Sequence, residues 1–157
     1  LPDRISRELS GRGLAATAVT VEVTEDVIVS NIDSVRTVLN RLRESGTRVS
    51  IDDFGSGYSA LSYLRDLPAD EVKLDRSFIS SILFDGRAAA VVSAVVELAH
   101  SLGLTTVAEG IENAATADRL RELGCDVGQG FYFSPPLTAD EIFDALAADP
   151  ASLPVRR

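Results

Sequence analysis

The sequence predicts an α/β fold of about five consecutive β-α units with parallel strands, and three observations lead to this class. Short runs of β-branched residues alternate with longer amphipathic stretches. Several of these stretches are followed by a glycine, Gly46, Gly103 or Gly124, where a left-handed C-cap would lie. Within the short runs, apolar and polar residues alternate. Together these features are typical of a parallel sheet covered by helices.

The predicted strands follow the β-branched runs, and they lie near residues 19–25, 48–53, 71–75, 105–111 and 125–131. The predicted helices follow the amphipathic stretches, and they lie near residues 31–45, 57–66, 77–102, 114–123 and 139–147. We also expect helical structure in the opening residues and a break in the longest helix at Asp85 and Gly86. Thr138 and Glu141 have the spacing of a helix cap for the last helix.

Polar side chains share one face in each of the first three strands, because side chains alternate along a strand. Glu22 lies between two valines, Asp52 follows an isoleucine, and Lys73 separates a valine from a leucine. In a parallel barrel the apolar faces pack under helices, and polar residues at the carboxyl ends of the strands gather at one end. Periodicity alone also fits an open doubly wound sheet. The chemistry of the strand ends favours the barrel.

Composition limits the size of the fold and the class of ligand. The chain has 157 residues, 45% of them hydrophobic, which suits one domain with a real core, or part of one. The formal net charge of −9 argues against binding to DNA or RNA, which requires clustered Lys and Arg. An anionic substrate would therefore need metal cations that invert the local charge.

The sequence also predicts a reducing, aqueous compartment. Cys125 is the single cysteine, so an internal disulfide is excluded. No apolar run approaches the roughly 20 residues that cross a bilayer, and no signal-peptide pattern opens the chain. We therefore expect a cytoplasmic protein without a membrane segment in this chain. Residues 1–147 are the expected domain portion, and residues 148–157, with two prolines and two terminal arginines, are the expected tail or linker.

Six polar residues fall at or just past the carboxyl ends of the five predicted strands, and they are Glu22, Asp52, Asp53, Lys73, Glu109 and Gln129. Four are carboxylates, which would repel one another unless cations hold them, and their hard oxygen ligands suit Mg²⁺ or Mn²⁺. Two such ions about 3.5–4 Å apart commonly share one carboxylate while they clamp a phosphodiester. We expect Asp52 to end its strand and Asp53 to begin the turn, which Gly55 and Gly57 would tighten.

Each of these features also has a structural explanation. An Asp-Asp pair before Phe-Gly is commonly a turn with a helix cap, and a Lys or Glu at a strand end commonly belongs to an ion pair. We expect His100 to be structural or solvated and Cys125 to be a small core side chain. The joint occurrence of these polar groups across five strands favours a metal site over these explanations.

The segments VEVTE, IDDFGSGYSAL, VKLDRSFI, VAEGIE and VGQGFYFSPPL occur in this order, and together they resemble the signature segments of the EAL domain family. The resemblance covers roughly residues 1–147. It implies a TIM-type (β/α)8 barrel, here incomplete with about five β-α units. It also implies metal-dependent hydrolysis of cyclic di-GMP, a bacterial second messenger, to linear pGpG. The implied partners are cyclic di-GMP, a second copy that forms a homodimer through the barrel, and upstream regulatory domains in signal transduction.

The resemblance further implies roles for individual residues. Glu22 resembles a metal-ligand glutamate. Asp52 resembles the aspartate that bridges two Mg²⁺ or Mn²⁺ ions, and Asp53 a ligand of the second ion. Lys73 is similar to the lysine that contacts the hydrolytic water and the scissile phosphate. Glu109 resembles a glutamate that holds the metal-bound water and is a candidate general base.

Other residues are implied to support this centre. Gln129 resembles a glutamine near the same water, and Glu25 and Glu112 resemble supporting residues, with Glu25 steadying an adjacent loop. In this family that loop is linked to substrate binding and to dimer-coupled activity, and its residues here include Phe54, Gly55, Ser56 and Gly57. Phe131 and Pro135 are similar to the part of the pocket that meets a guanine.

The chain also departs from the family pattern. The Glu-Ala-Leu motif, its nearby phosphate-binding arginine and an asparagine ligand have no counterpart in the sequence. We expect these ligands, with three of the eight strands, to precede Leu1, and we favour the interpretation that the chain is a portion of a longer protein. The first metal site would then be half built and the chain by itself inactive. Two alternatives stay open: a non-catalytic module that binds cyclic di-GMP or a partner protein, and an unrelated doubly wound hydrolase.

Overall fold

The strands form one parallel sheet in the order in which they occur in the chain. A computed structural model describes residues 1–55 and 61–148, and its sheet has the order β1-β2-β3-β4-β5. The strands are β1 Thr20–Thr24, β2 Arg48–Phe54, β3 Glu71–Leu74, β4 Thr105–Ala108 and β5 Val127–Gly128. The predictions for Ser56, for Gly57 and for a tail after residue 148 lie outside the described residues.

Helices connect the successive strands. They are α1 Pro2–Gly11, α2 Glu25–Ser30, α3 Ile32–Glu44, α4 Leu61–Asp66, α5 Arg76–Ile79, α6 Gly86–Ser101, α7 Ala114–Glu122 and α8 Ala139–Ala148, with a 3₁₀ turn at Ala16–Ala18. In a doubly wound sheet the strand order reverses at a switch point, whereas consecutive strands stay adjacent around a barrel. The observed order therefore confirms the predicted incomplete barrel. None of the helices within residues 1–55 and 61–148 has the length and apolarity that crossing a membrane requires.

The apolar faces of the strands pack under the helices, as the alternation predicts. Val49, Ile51, Val72 and Leu74 are fully buried, and they form one cluster with apolar side chains of α3 and α6. Burying a side chain of this size contributes roughly 1.5–3 kcal/mol to folding. Because the core holds these side chains on one face of β2 and β3, the polar side chains between them lie on the other face.

Glycines follow the helices where the sequence predicts them. Gly46, Gly103 and Gly124 have φ angles of +85°, +75° and +86°, which is the left-handed conformation expected just after a helix. At α8 the Thr138 N–H donates to the Glu141 carboxylate at 2.7 Å, and the Glu141 N–H donates to the Thr138 hydroxyl at 3.4 Å. The predicted helix cap is therefore confirmed as a reciprocal capping box.

The long helix predicted at 77–102 is broken, as expected, and α2 is an additional helix. Asp85 caps α6 by accepting a hydrogen bond from the Arg87 N–H at 2.8 Å. The sequence of α2 is rich in β-branched residues, which favour strands, so the residue pattern did not predict a helix there. Its first turn nevertheless contains Glu25 and Asp26, whose negative charges interact favourably with a helix N-terminus. Asn31 then separates α2 from α3 and accepts a hydrogen bond from the N–H at the start of α3.

Strand β5 is much shorter than the predicted 125–131. A Cβ atom at Gly130 would lie 2.2 Å from the Ile111 carbonyl oxygen, so only glycine allows the backbones to approach so closely. The Phe133 N–H donates to the Gly130 carbonyl at 3.0 Å, which closes a turn. The chain therefore turns at this glycine instead of continuing the ladder.

Candidate active site

Side chains from the carboxyl ends of β1, β2 and β4 meet at Lys73 of β3. The Lys73 Nζ lies 2.9 Å from Glu22 Oε1, 3.1 Å from Asp52 Oδ1 and 2.7 Å from Glu109 Oε1. The Lys73 side chain is only 7% exposed, so its three partners largely enclose the ammonium group. The predicted meeting of these residues at one end of the sheet is confirmed as geometry, and their chemical roles stay predictions.

The alternation of β3 directs Lys73 to this position, because its two neighbours in the strand point into the core. A buried ammonium group is unfavourable unless opposite charges surround it. Burial acts to lower the pKa of Lys73, but the interactions with the three carboxylates, Glu109 first, outweigh burial and hold the pKa above its ordinary value. Lys73 is therefore a cation at neutral pH, and it is not available to accept a proton.

A β-bulge in β2 brings two adjacent aspartates to the same site. The pairing of β2 with β3 shifts register between Ile51 and Phe54, so β2 has one more residue than its neighbour there. Asp53 has a φ angle of 56°, in the left-handed region that aspartate tolerates better than most residues. Adjacent side chains of a regular strand point to opposite faces, and the bulge removes this restriction. One carboxylate oxygen each from Asp52, Asp53 and Glu109 lies within 4.8 Å of the others.

The bulge corrects two predictions for this segment. Because the ladder resumes after the extra residue, β2 does not end at Asp53 but continues to Phe54. Phe54 is 1% exposed and belongs to the core cluster. Phe54 therefore lies in β2 and not in the loop, and the substrate-binding role that the family resemblance implies for it stays a prediction.

Glu25 and Gly55 shape the turn that follows the bulge. The buried Glu25 side chain, at the start of α2, accepts a hydrogen bond from the Gly55 N–H at 3.2 Å. Gly55 has a φ angle of +96°, and a Cβ atom there would lie 2.1 Å from the Phe78 ring. The contact between Glu25 and Gly55 fits the loop-steadying role that the family resemblance implies, and that role stays a prediction.

The acidic cluster has the chemistry of a site for hard divalent cations. Asp52 Oδ1 is buried, and its 3.1 Å contact with Lys73 is an ion pair that lacks the direction of a hydrogen bond. Partial burial, followed by the charges of Asp52 and Asp75, raises the pKa of Asp53. A nearby cation would favour the ionised form of that carboxyl. Buried or crowded carboxylate oxygens of this kind are the ligands that Mg²⁺ and Mn²⁺ prefer.

Glu109 and Gln129 are held on neighbouring segments beside this cluster. The Glu109 N–H donates to the Leu74 carbonyl at 3.1 Å, directly after β4. The Gln129 N–H donates to the Ala108 carbonyl at 2.8 Å, and the Gln129 carbonyl accepts from the Ile111 N–H at 3.0 Å. β4 therefore ends at Ala108, three residues earlier than the predicted end at residue 111. Residues 109–111 form a loop that is hydrogen-bonded to Leu74 on one side and to Gln129 on the other.

An open cavity of about 340 Å³ adjoins this loop, and its lining residues are Arg76, Glu109, Gly110, Glu112, Gln129, Gly130 and Phe131. Phe131 is 70% exposed, and an exposed aromatic ring beside polar groups is suited to stacking on a base. Pro135 is also exposed, and it is not part of this lining. The cavity thus connects the predicted base-binding residue Phe131 with the predicted catalytic residues Glu109 and Gln129.

Arg76 is a residue at the site that sequence reasoning missed. Its Nη2 lies 2.7 Å from Glu112 Oε1, and a Cβ atom at Gly110 would lie 2.8 Å from Arg76 Cγ. The available signal was the spacing along the chain. Arg76 follows Lys73 by three residues, just as Glu112 follows Glu109 by three.

His100 and Cys125 lie away from the site, near the amino ends of β4 and β5. Asp126 Oδ2 accepts hydrogen bonds from the Thr106 N–H at 2.8 Å and the Thr106 hydroxyl at 2.7 Å, and it lies 2.9 Å from His100 Nε2. Cys125 packs against the core, and burial raises the pKa of its thiol. These surroundings fit the predicted structural or solvated His100 and the predicted small core residue Cys125, and both roles stay predictions.

Fold and site together define an α/β protein of the barrel type, with an acidic centre around one lysine at the carboxyl ends of its strands. Residues 1–136 match the EAL domain family, and the chain belongs to this family.

Similar proteins extend well beyond the length of this chain. The chain is 45% identical over 148 residues to the cyclic di-GMP phosphodiesterase NbdA of Pseudomonas aeruginosa, and the match covers 94% of this chain and 19% of NbdA. Among solved structures, the PaMucR phosphodiesterase in complex with cyclic di-GMP has a TM-score of 0.83 and 41% identity, covering 89% of this chain and 57% of that one. A manganese and cyclic di-GMP complex of Klebsiella pneumoniae BlrP1 has a TM-score of 0.81 and 38% identity, covering 85% and 34%. The chain thus spans about a fifth of NbdA.

Proposed function

We propose that this chain provides the larger part of a centre that hydrolyses one phosphodiester bond of cyclic di-GMP and releases linear pGpG. The observation that carries the proposal is the meeting of Glu22, Asp52 and Glu109 around the Lys73 ammonium group. Membership of the EAL domain family and similarity to cyclic di-GMP phosphodiesterases support the same reaction. The proposal includes two divalent cations, Mg²⁺ or Mn²⁺, which the acidic cluster and the manganese complex of a similar protein support.

The carboxylates of β1 and β2 would hold these cations. Glu22 and Asp52 would bind the first cation and Asp53 the second, with Asp52 as the bridge between them. When bound, such cations polarise water and neutralise the charge of the phosphodiester. The Glu-Ala-Leu glutamate and the asparagine, which the family resemblance implies as further ligands of the first cation, have no counterpart in the sequence. We therefore expect the chain alone to be inactive.

In this proposal Lys73 stabilises negative charge, and Glu109 accepts a proton. The three carboxylates hold the pKa of Lys73 above its ordinary value, so the cationic side chain would stabilise negative charge on the scissile phosphate. It would also orient the attacking water. Glu109 is not assigned to either cation here, and it is the general base in this proposal. Gln129 lies on the adjacent segment and lines the same cavity, from which its amide would orient the water.

The cavity beside Glu109 would receive one nucleotide of the substrate. Phe131, 70% exposed at the cavity, would stack on a guanine, with Pro135 further along the same segment. Glu112 lines the cavity from the opposite loop, and Glu25 supports the turn after β2 through Gly55.

The proposal further includes a cytoplasmic location, which the lack of any second cysteine favours. It also includes a homodimer through the barrel, which sedimentation velocity would test.

Hydrolysis is tested with the chain and with any longer natural protein that contains it. Each is incubated with cyclic di-GMP and Mn²⁺, and pGpG is quantified by liquid chromatography. Asp52→Asn should lower the rate by about 100-fold or more, the scale seen when one preorganised electrostatic group is removed. The matched control is Asp118→Asn, which alters an exposed carboxylate of α7 and should leave the rate unchanged.

The same experiment separates hydrolysis from a purely signalling role. Calorimetric titration with cyclic di-GMP measures binding independently of turnover. A longer protein that binds the dinucleotide but produces no pGpG would contradict the proposed hydrolysis and would indicate the non-catalytic module instead. Full activity of Asp52→Asn would contradict the bridging role of Asp52.

A further inference from the structure

We propose that Arg76 is a positioning residue for Glu109, acting through Glu112 and Gly110, and this inference rests on the proposed function. Two ion pairs connect β3 and the start of α5 to the loop after β4. Lys73 lies 2.7 Å from Glu109, and Arg76 lies 2.7 Å from Glu112. Arg76 follows Lys73 by three residues, and Glu112 follows Glu109 by three residues. The second ion pair therefore joins the same two segments as the first, further along the chain from the ends of β3 and β4.

Arg76 is itself held firmly in place. Asp75 follows β3 directly and accepts a hydrogen bond from the Ser77 N–H at 2.9 Å, which caps α5. Arg76 is therefore the first residue of this helix, directly after the capping residue. An arginine anchored in this way can restrain a loop that has less secondary structure of its own.

The aliphatic part of Arg76 packs directly on the loop that carries Glu109. A Cβ atom at Gly110 would lie 2.8 Å from Arg76 Cγ, 2.9 Å from Cβ and 3.0 Å from Cδ. Gly110 has a φ angle of +69°, so the backbone turns immediately after Glu109 and only glycine accommodates both the turn and the contact. The guanidinium group then reaches Glu112 at the far end of the loop.

The contact of Arg76 with Gly110 and Glu112 restrains the loop that contains Glu109, which lies beyond the end of β4. β4 ends at Ala108, and the last bond from the loop to β3 is the Glu109 N–H to the Leu74 carbonyl at 3.1 Å. On the other side, the Ile111 N–H is bonded to the Gln129 carbonyl. Beyond the Glu109–Leu74 hydrogen bond, Arg76 contacts the loop from the β3 side through Gly110 and Glu112. A general base must stay within hydrogen-bond reach of its proton, and misplacement by about 1 Å can lower a rate about 100-fold.

The ion pair on its own is weak. Its side chains are 64% and 53% exposed, and an exposed pair of this kind changes an equilibrium by less than about fivefold. The positioning effect therefore depends on the packing of the stem on Gly110 together with the charge. Arg76→Lys keeps both features in part, Arg76→Met keeps only the stem, and Glu112→Gln keeps the arginine without its partner charge.

The experiment compares these three variants and the Arg76→Met/Glu112→Gln double variant with the wild type, in the longest natural protein that contains the chain. The matched control is Arg121→Met in α7, which removes an ion pair of similar exposure, 60% and 64%, elsewhere in the fold. Circular dichroism establishes that each variant is folded. The measurements are kcat and KM for cyclic di-GMP, and the Kd for Mn²⁺ without substrate, obtained by calorimetry.

We expect Arg76→Met and Glu112→Gln each to lower kcat about twofold to fivefold, the scale of an exposed ion pair and a fraction of the effect of a full 1 Å displacement. KM should stay within about twofold of the wild type, and the double variant should be no worse than the worse single one. The Kd for Mn²⁺ should rise, because one carboxylate oxygen of Glu109 lies within 4.8 Å of those of Asp52 and Asp53 and a displaced Glu109 would attract the cation less. Arg76→Lys should recover part of kcat. Arg121→Met should change nothing.

Three results would overturn the proposal. A rise in KM with unchanged kcat in Arg76→Met would show that Arg76 contacts the substrate directly. Equal losses in Arg121→Met would show a general effect on folding, and unchanged kcat and Mn²⁺ affinity would show no role for Arg76. If the wild type binds Mn²⁺ but produces no pGpG, the proposed function fails, and the Mn²⁺ affinities of the variants still decide whether Arg76 positions Glu109.

Discussion

The Lys73 ammonium group lies 2.7 Å from the Glu109 carboxylate, and this pair joins β3 to the loop after β4 at the centre of the candidate site. Two further carboxylates, those of Glu22 and Asp52, lie within 3.1 Å of the same nitrogen. One largely buried cation thus opposes the mutual repulsion of several acidic groups. Stability, titration behaviour and cation binding should all depend on it.

Replacing Lys73 by Met keeps most of the side-chain volume and removes the charge. We expect the cation-free protein to lose roughly 1–3 kcal/mol of unfolding free energy, less than for a fully buried pair, because the three carboxylates are partly exposed. Mn²⁺ should raise the melting temperature of this variant more than that of the wild type, since the metal ion replaces the missing positive charge. Calorimetry with Mn²⁺ and with a chelator measures both effects, and equal Mn²⁺ shifts would contradict the prediction.

Lys73 is the only lysine in the 157 residues, so protein labelled with ¹⁵N-lysine gives a single ammonium signal in NMR spectra. We expect this signal to titrate above the ordinary lysine value of 10.5. Because the folded pKa is the higher one, the stabilisation is complete below the unfolded pKa and is lost as the pH rises through the folded pKa. Near neutral pH the stabilisation should therefore be complete, and this group should add nothing to the change of stability with pH. A titration midpoint below 10.5 would show that the three carboxylates do not enclose the ammonium group.

Gly55→Ala should destabilise the protein by at least about 2 kcal/mol, through both a strained φ angle and a collision with Phe78. The matched control is Gly86→Ala at the start of α6, where a Cβ atom has no heavy atom within 4 Å and φ is not in the left-handed region. That change should be neutral or slightly stabilising. Urea unfolding measures both variants. Adding Phe78→Leu to Gly55→Ala should recover part of the lost unfolding free energy, because the smaller side chain relieves the collision. If no stability is recovered, the whole loss comes from the strained backbone at residue 55.

Asp126→Asn should lower stability at neutral pH more than at acidic pH. Burial acts to raise the pKa of Asp126, but hydrogen bonds from Thr106 and then His100 outweigh it and hold the pKa below its ordinary value. A depressed folded pKa means that the stabilisation is present above the unfolded pKa and is lost as the pH falls through the folded one. Because the side chain is 39% exposed, we expect a loss of only about 1 kcal/mol. Urea unfolding near pH 7 and pH 3 tests this, with Asp118→Asn as the control; equal losses at both pH values would contradict it.

Much of the fold was predictable because it depends on local patterns. The alternation around Lys73 reports which side of a strand faces the core, and β3 follows it. Gly46, Gly103 and Gly124 end helices because a left-handed residue is needed there whatever surrounds it. The order of the β-α units follows from the same patterns. The polar residues at the strand ends could therefore be predicted as a group.

Features that depend on a neighbouring strand or a distant loop were not predictable in this way. The additional residue that brings Asp52 and Asp53 together exists only relative to the register of β3. The contact of Arg76 with Gly110 and Glu112 joins segments more than thirty residues apart. β5 ends early because Gly130 meets the backbone of Ile111. Local periodicity carries no information about such approaches.

The alternation of strands and helices, the faces that form the core and the family of the signature segments can all be read from the residues in order. That three carboxylates surround Lys73, that Phe54 is a core residue and that Arg76 lies over the Glu109 loop became known from the folded chain. The difference lies in the range of the interactions. Burial patterns and caps act within a few residues, whereas electrostatic and packing contacts at the site arise only after strands from across the chain have been placed side by side.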